Sequence, residues 1–168
     1  MKKHRRIFAR IIAAALMLST LDGGETLAGN APEPTQGQTV YVPVYSEVPY
    51  GNADRNGKPA KWLLSATLTI RNTDPFTPLT LRSIRYFDTD GNVIRDYPTG
   101  DKIGPLGTRE IFVPHSDQSG GSGANFIVVW DAEKAINAPI IEAIHAYFFD
   151  SRGLVFVSPS QALHVEDR

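Results

Sequence analysis

The feature that most restricts the fold is the lack of any sustained apolar period of 3.6 residues after residue 28. Apolar residues instead stand in short runs that end at Gly, Pro, Asn or Asp, and all twelve prolines lie at or after Pro32. Such runs are typical of β-strands and not of helices. Because 168 residues suffice for one buried core, we predict one all-β domain.

Individual strands can be placed from the alternation of apolar and polar residues. The alternation is clearest over residues 62–72, which we predict to bury one face and expose the other. Residues 40–45 alternate in the same way, but the interior Pro43 has no N–H to donate to a neighbouring strand. We therefore place this second strand at the edge of a sheet.

Turn signals set the number of strands. The dipeptide Asp90-Gly91 between apolar runs predicts a hairpin, and a change of apolar phase near Arg82 and Ser83 predicts a bulge. Residues 132–135 form the one stretch that favours a helical turn. About eight strands result, which is typical of an immunoglobulin-like sandwich of two antiparallel sheets.

The first 28 residues have the layout of a signal peptide. Basic residues precede an apolar run at residues 11–18, which is shorter than the roughly 20 residues that a membrane-spanning helix needs. The small residues Thr26 and Ala28 form an acceptable cleavage site. We predict a signal peptide at residues 1–28, a flexible linker at residues 29–38 and a β-sandwich domain at residues 39–165. Membrane contact is expected only through the signal peptide before cleavage.

This leader predicts export to the periplasm or to the outside of the cell. The pair Arg5-Arg6 followed by Phe8 is compatible with the twin-arginine route, and the general secretory route is the alternative. Removal of residues 1–28 leaves 12 basic and 16 acidic residues, so the exported domain lacks the positive field of a nucleic-acid-binding protein. The lack of cysteine excludes disulfides, thiolate metal sites and a thiol nucleophile, and we predict no cofactor.

One loop, residues 114–123, holds most of the residue types that a small hydrolase needs. The candidate catalytic residues are His115, Asp117 and one of Ser116, Ser119 and Ser122. A serine nucleophile needs a histidine and an orienting acid within hydrogen-bond reach, which closeness in sequence does not ensure. The loop also precedes a strand, so it lacks the strand-to-helix turn that carries the nucleophile of many hydrolases. A polar loop whose glycines allow positive φ explains the same residues.

Two loops suggest ligand binding without catalysis. Backbone N–H groups of Gly120, Gly121 and Gly123 could form a nest for an anion such as phosphate or a carboxylate. Carboxylate oxygens of Asp88 and Asp90 could form part of a calcium site, although their spacing differs from that of an EF-hand. A plain Asp-Gly hairpin turn is the alternative interpretation of the second loop.

Aromatic and histidine side chains provide the remaining candidates. Tyr41 and Tyr45 share the face opposite the valines of their strand. They either form an exposed binding surface for a protein or a glycan, or a second layer covers them. His145 shares a face with apolar neighbours, so we predict a hydrogen-bonded histidine in the core or in an interface.

Three sequence strings resemble DUF3124, an uncharacterised family of bacterial exported proteins. They are residues 70–74 (IRNTD), residues 86–91 (YFDTDG) and residues 119–128 (SGGSGANFIV), and the likeness extends over residues 41–149. The resemblance implies a small exported β domain and assigns no functional residue.

The resemblance adds no activity. From the residues themselves we predict a noncatalytic exported module that binds a partner in the cell envelope or acts as an accessory there. The expected partner is an envelope protein or a glycan. Two alternatives remain open. The first is a small hydrolase that uses the loop of His115 and Asp117, and the second is an anion- or calcium-binding domain.

Overall fold

Residues 33–164 are described by the computed structural model of the chain. The predicted signal peptide, residues 1–28, and the first part of the predicted linker, residues 29–32, lie outside this range. Strand β1 begins at Thr35, so residues 35–38 of the predicted linker belong to a sheet instead. These residues pair with the strand at Asn125–Ile136. The pairing gives their backbone N–H and C=O groups hydrogen-bond partners within the protein, whereas those of a flexible linker would bind water.

Twelve β-strands and one turn of 3-10 helix occur within residues 33–164. The strands are β1 (Thr35–Pro43), β2 (Glu47–Ala53), β3 (Pro59–Leu63), β4 (Ser65–Arg71), β5 (Leu79–Phe87), β6 (Val93–Asp96), β7 (Lys102–Ile103), β8 (Thr108–Val113), β9 (Asn125–Ile136), β10 (Ile140–Phe149), β11 (Arg152–Pro159) and β12 (Gln161–Leu163). The 3-10 turn, Gly121–Gly123, precedes β9. Over this same range, no helix is long and apolar enough to span a membrane.

Two antiparallel sheets pack against each other as a sandwich. The first sheet has the order β12-β1-β9-β5-β6, with β7 also paired to β5, and the second has the order β11-β10-β4-β8. The prediction of an all-β, two-sheet antiparallel sandwich is therefore confirmed. The strands outnumber the expected eight because β2 and β3 form a separate hairpin and because β7 and β12 are only two and three residues long.

The core lies between the two sheets and follows the predicted alternation. Val40 and Val42 of β1 are buried, as are Ala66, Leu68 and Ile70 of β4, and all five belong to one cluster. Burying one Val, Leu or Ile side chain contributes about 1.5–3 kcal/mol. Apolar residues at alternate positions of several strands therefore supply the main stabilisation of the sandwich.

Two local predictions are wrong because pairing with a distant strand overrides the local preference. Residues 132–135 belong to β9 and not to a helical turn. They lie in a register shift of β9 against β1, between the pairs Asp131–Gly37 and Ile136–Thr35. Strand β1 is not at a sheet edge, since β12 pairs with residues 39–41. Pro43 is the last residue of β1 and lies beyond that pairing, so its missing N–H removes no hydrogen bond to β12.

Two other local predictions are confirmed. Strands β5 and β6 form the expected hairpin, and the register of β5 against β9 shifts between Leu81 and Ser83, where a bulge was predicted. The single strand predicted over residues 62–72 divides at the buried Leu64. The chain passes there from the β2–β3 hairpin into the second sheet, and the apolar alternation continues across the division.

Candidate functional site

The glycine-rich loop joins the β1–β2 connection to the β5–β6 turn. The N–H of Ser46 donates to the carbonyl of Gly121 at 3.0 Å, and the N–H of Thr89 donates to the carbonyl of Gly120 at 3.1 Å. The Thr89 hydroxyl donates to the same carbonyl at 2.9 Å and accepts from the N–H of Gly123 at 3.0 Å. The loop therefore holds two other connections in place.

Steric contacts explain why glycine occupies this loop. A Cβ atom at Gly120 would lie 2.1 Å from the hydroxyl oxygen of Tyr86 and 2.9 Å from Oγ of Ser46, two atoms that are themselves 3.1 Å apart and hydrogen-bonded. Gly121 has a φ of +72°, a conformation that L side chains rarely adopt. Burial raises the pKa of the Tyr86 hydroxyl, so this tyrosine stays neutral beside the loop.

Two of the three N–H groups of the predicted anion nest already donate to protein acceptors. The N–H of Gly121 donates to the carbonyl of Gln118 at 3.3 Å, and the N–H of Gly123 donates to Thr89. Because protein acceptors already bind both groups, an anion would have to displace them. The structure assigns these glycines a role in shaping the loop.

The residues of the predicted hydrolase site lie in different surroundings. Asp117 accepts hydrogen bonds from the N–H and the hydroxyl of Ser119, and its carboxylate is 3.3 Å from Arg95. The Ser119 hydroxyl and the Arg95 guanidinium hold the pKa of the Asp117 carboxyl below its usual value. Among residues 33–164, no hydrogen bond joins His115 to Ser116, Asp117, Ser119 or Ser122. The structure therefore does not bring the three catalytic roles together.

The predicted calcium residues form a turn. Asp88 accepts from the N–H of Asp90 at 2.9 Å and of Asn92 at 2.8 Å, and also from the Asn92 side chain. The bonds from Asn92 hold the pKa of the Asp88 carboxyl below its usual value. No cluster of three His, Asp or Glu residues that could hold a metal ion occurs in the described part of the chain.

The string at residues 70–74 has a similar structural role at another loop. The buried side chain of Asn72 donates to the carbonyls of Thr77 at 2.8 Å and Gly104 at 3.0 Å. Asp74 accepts from the N–H groups of Phe76 and Thr77. All three strings that carry the family resemblance thus contain residues that fix loop conformations by hydrogen bonds or close contacts.

Tyr41 and Tyr45 do not form one exposed surface. Tyr41 is half-buried in β1, between Ile127 of β9 and Gln161 of β12. Tyr45 follows β1 and is 37% exposed, and its ring contacts those of His145 and Phe156. Tyr45 lines a groove on the surface.

His145 is the hydrogen-bonded core histidine that the sequence predicts. Its ring is fully buried, it stacks on Phe156 with centroids 4.6 Å apart, and Nε2 accepts from the N–H of Tyr45 at 3.0 Å. Burial lowers the pKa of His145 to about 4, because a charged imidazolium would lose its hydration there. The ring is therefore neutral at pH 7 and takes part in no surface site.

An open groove, which we call the β11 groove, lies between β11 and the segment that joins β1 to β2. Its volume is about 760 Å³. Its lining residues are Pro43, Tyr45, Glu47, Val48, Pro49, Ser122, Leu154, Phe156, Val157, Ser158 and Pro159. This lining is mainly apolar, and Glu47 is its one charged residue.

A second concavity, which we call the aromatic cleft, lies where the β2–β3 hairpin meets the end of β10. Its volume is about 580 Å³. Its lining residues are Lys61, Trp62, Leu63, Ser65, His115, Ala146, Tyr147, Phe148 and Phe149. Phe148 and Phe149 are exposed, and the cleft also contains an ammonium, an imidazole and a hydroxyl group.

A column of three rings fixes the hairpin beside this cleft. Trp62 stacks on Tyr147 with centroids 5.1 Å apart and planes within 7°, and Tyr50 packs against Trp62 at 4.5 Å. Lys61 forms an ion pair with Glu47 on the same hairpin. A two-stranded hairpin is only marginally stable alone, and this ring stacking helps to hold it against the second sheet.

Sequence reasoning missed the aromatic cleft. Its residues come from three separate segments, residues 61–65, His115 and residues 146–149, which no local pattern connects. The one available signal was the consecutive pair Phe148-Phe149 directly before a turn. Alternation allows only one of two consecutive residues to enter the core, so at least one of these rings had to face elsewhere.

Comparisons with known proteins give a family and no activity. No curated protein matches the chain in sequence. The solved crystal structure of the protein described as Thermotoga maritima 1070 matches with 9% identity and a TM-score of 0.39, over 74% of this chain and 92% of that one. A family model described as a protein of unknown function, DUF3124, matches residues 37–163. This chain therefore belongs to the DUF3124 family.

Proposed function

We propose that this chain is a noncatalytic binding module of the cell envelope and that its ligand binds in the aromatic cleft. The observation that carries the proposal is the exposure of Phe148 and Phe149, 72% and 70%, in the wall of a concave site. Exposed apolar rings beside a few polar groups are typical of binding sites. A ligand that covers these rings gains the free energy of removing them from water.

The noncatalytic part of the proposal is supported by the roles of the titratable side chains. Asp88 and Asp117 accept hydrogen bonds within their own loops, and His145 is buried and neutral. His115 lies in the aromatic cleft and makes no hydrogen bond to the acid or the serines of the predicted triad within the described range. Binding therefore has more support than hydrolysis, which needs these groups in contact.

Export is the second part of the proposal. Its support is the row of basic residues before the apolar run at residues 11–18 and the small residues Thr26 and Ala28 at the expected cleavage site. The module would then act in the periplasm or outside the cell. Its partner there would be an envelope protein or a glycan.

Retention of envelope material tests the binding role. The full chain would be immobilised and exposed separately to purified cell-wall glycan and to solubilised envelope proteins of the source organism. Phe149→Ala should abolish most of the retention, because it removes an exposed ring of the cleft. Phe76→Ala is the matched control, since Phe76 is 85% exposed and lines neither concavity. Equal retention by both variants, or none by the parent chain, would contradict the proposed site.

Mass measurement tests export. The chain expressed with its own leader should be recovered from the periplasm or the medium with a mass that corresponds to cleavage after Ala28. An uncleaved chain that stays in the cytoplasm would contradict the proposed localisation, and it would leave the binding experiment to be judged separately.

A further inference from the structure

We infer that the ligand of the aromatic cleft is a neutral saccharide, an inference that rests on the proposed binding function. The cleft combines flat exposed rings with hydrogen-bonding groups, and a pyranose offers the matching chemistry. Its faces present C–H groups that pack on aromatic rings, and its edges present hydroxyls. A volume of about 580 Å³ lies within the range of small-molecule sites.

The ring of Phe148 is the best-placed platform. One edge of this ring lies against Gly153 of β11, where an added Cβ atom would be 2.6 Å from Cδ1 and 2.7 Å from Cε1. This contact holds the ring at its Cδ1–Cε1 edge, while the side chain as a whole is 72% exposed. A ring that is already held in place loses little conformational freedom when a ligand stacks on it.

Three polar groups of the cleft can bind hydroxyls. The hydroxyl of Ser65 donates to the carbonyl of Ala146 at 3.1 Å, which leaves its lone pairs able to accept from a ligand. The ammonium of Lys61 donates, and the imidazole of His115 offers ring nitrogens at the surface. A sugar hydroxyl is both donor and acceptor, so it can satisfy groups of either kind. A purely apolar ligand would leave them unsatisfied.

The charge of the cleft favours a neutral ligand over an acidic one. Lys61 is the one cationic side chain that lines the cleft with a fixed charge, and Glu47 is already paired with it. A carboxylate on the ligand would have to share this ammonium with Glu47. The ion pair of Lys61 and Glu47 has no net charge and offers both a hydrogen-bond donor and an acceptor. A sugar hydroxyl can bind to either group.

Intrinsic fluorescence can report binding in this cleft. The chain has two tryptophans, of which Trp62 lines the cleft and Trp130 is buried in the core. The full chain would be titrated with cellotetraose and with chitotetraose, and tetragalacturonate would serve as the acidic comparison. We expect a saturable change in Trp62 emission with at least one neutral tetrasaccharide. The affinity for tetragalacturonate should be lower.

Variants connect the signal to the cleft. Phe148→Ala and Phe149→Ala should each weaken the affinity for the neutral tetrasaccharide about tenfold, because the loss of one aromatic anchor commonly has an effect of this size. Lys61→Met keeps the stem of the side chain and removes the donor, so it should also weaken binding. Phe76→Ala should leave the affinity unchanged. Circular dichroism of each variant would establish that the sandwich is folded.

The outcomes separate the saccharide inference from the proposed function. The inference is overturned if neither neutral tetrasaccharide changes the emission, if tetragalacturonate alone does so, or if Phe148→Ala and Phe149→Ala both respond like the parent chain. Should envelope proteins still be retained in a manner sensitive to Phe149→Ala, the proposed binding function stands with a different ligand. If neither saccharide binding nor retention of envelope proteins is observed, the proposed function and the saccharide inference are both wrong.

Discussion

The main-chain N–H of Tyr45 donates a hydrogen bond of 3.0 Å to Nε2 of His145, although 100 positions separate the two residues in the chain. The bond joins the segment that follows β1, in the first sheet, to β10, in the second. Nε2 can accept only while it carries no proton, so the bond requires the neutral imidazole. A contact between the two sheets therefore depends on the protonation state of one buried side chain.

We predict that the free energy of unfolding falls as the pH is lowered from 6.5 towards 4. The pKa of His145 is about 4 in the folded chain and 6.5 in the ordinary exposed state, so the unfolded chain binds more protons in this interval. The stabilisation is present in full above pH 6.5 and is lost as the pH falls to about 4. The expected loss is about 3 kcal/mol, measured by urea denaturation at several pH values.

The control for this prediction is His145→Gln. Glutamine can accept the hydrogen bond from Tyr45 through its side-chain oxygen and does not titrate in this interval. The variant should be less stable at pH 7 but should show a flatter dependence on pH. An unchanged slope in His145→Gln would mean that another group causes the pH dependence.

Gly120→Ala should lower the free energy of unfolding by about 3 kcal/mol, because the new methyl group overlaps the hydrogen-bonded pair of Tyr86 and Ser46. Gly104→Ala is the matched control, since a Cβ atom there meets nothing within 4 Å and no positive φ is involved. It should change the stability by less than about 1 kcal/mol. Chemical denaturation of both variants at pH 7 measures the difference. Equal stabilities would mean that the glycine-rich loop accommodates the methyl group without loss of stability.

The sandwich could be predicted from the sequence because its strands bury one face each. Alternation on residues 40–45 and 62–72 assigned most core positions correctly, although Thr69, on the face predicted to be exposed, is also buried. The change from the hairpin to the second sheet at Leu64 could not be predicted, since the apolar period continues through it. Residues 132–135 have a local preference for helix, which is overridden by the pairing of the flanking residues Asp131 and Ile136 with β1. Local patterns thus identified strands but not their partners.

The candidate site was harder to predict than the fold. Asp117 contacts Arg95 of β6, whereas His115 lies against β3 and β10, although the two are two positions apart in sequence. Conversely, Trp62 and Tyr147 stack although 85 positions separate them. Closeness in the chain therefore suggested a catalytic loop, and the aromatic cleft depends on tertiary contacts that leave no local pattern.

Asn72→Ala should destabilise the chain by about 2 kcal/mol, because it leaves the carbonyls of Thr77 and Gly104 without their donor in a buried setting. Asn52→Ala, in the exposed part of β2, should change the stability by less than about 0.5 kcal/mol. Thermal and urea denaturation would measure both effects. A neutral Asn72→Ala would indicate that water replaces the amide at these carbonyls.

Gly153→Ala should affect saccharide binding without a large effect on the stability of the chain. The added methyl group would lie 2.6 Å from Cδ1 of Phe148, so this exposed ring must turn away from the strand. Alanine suits a strand better than glycine, and we expect a stability within about 1 kcal/mol of the parent chain. Binding of neutral tetrasaccharides should nevertheless weaken, since the platform has moved. Isothermal titration would measure the affinity, with Gly104→Ala as the control, and an unchanged affinity would show that the Phe148 ring does not contact the ligand.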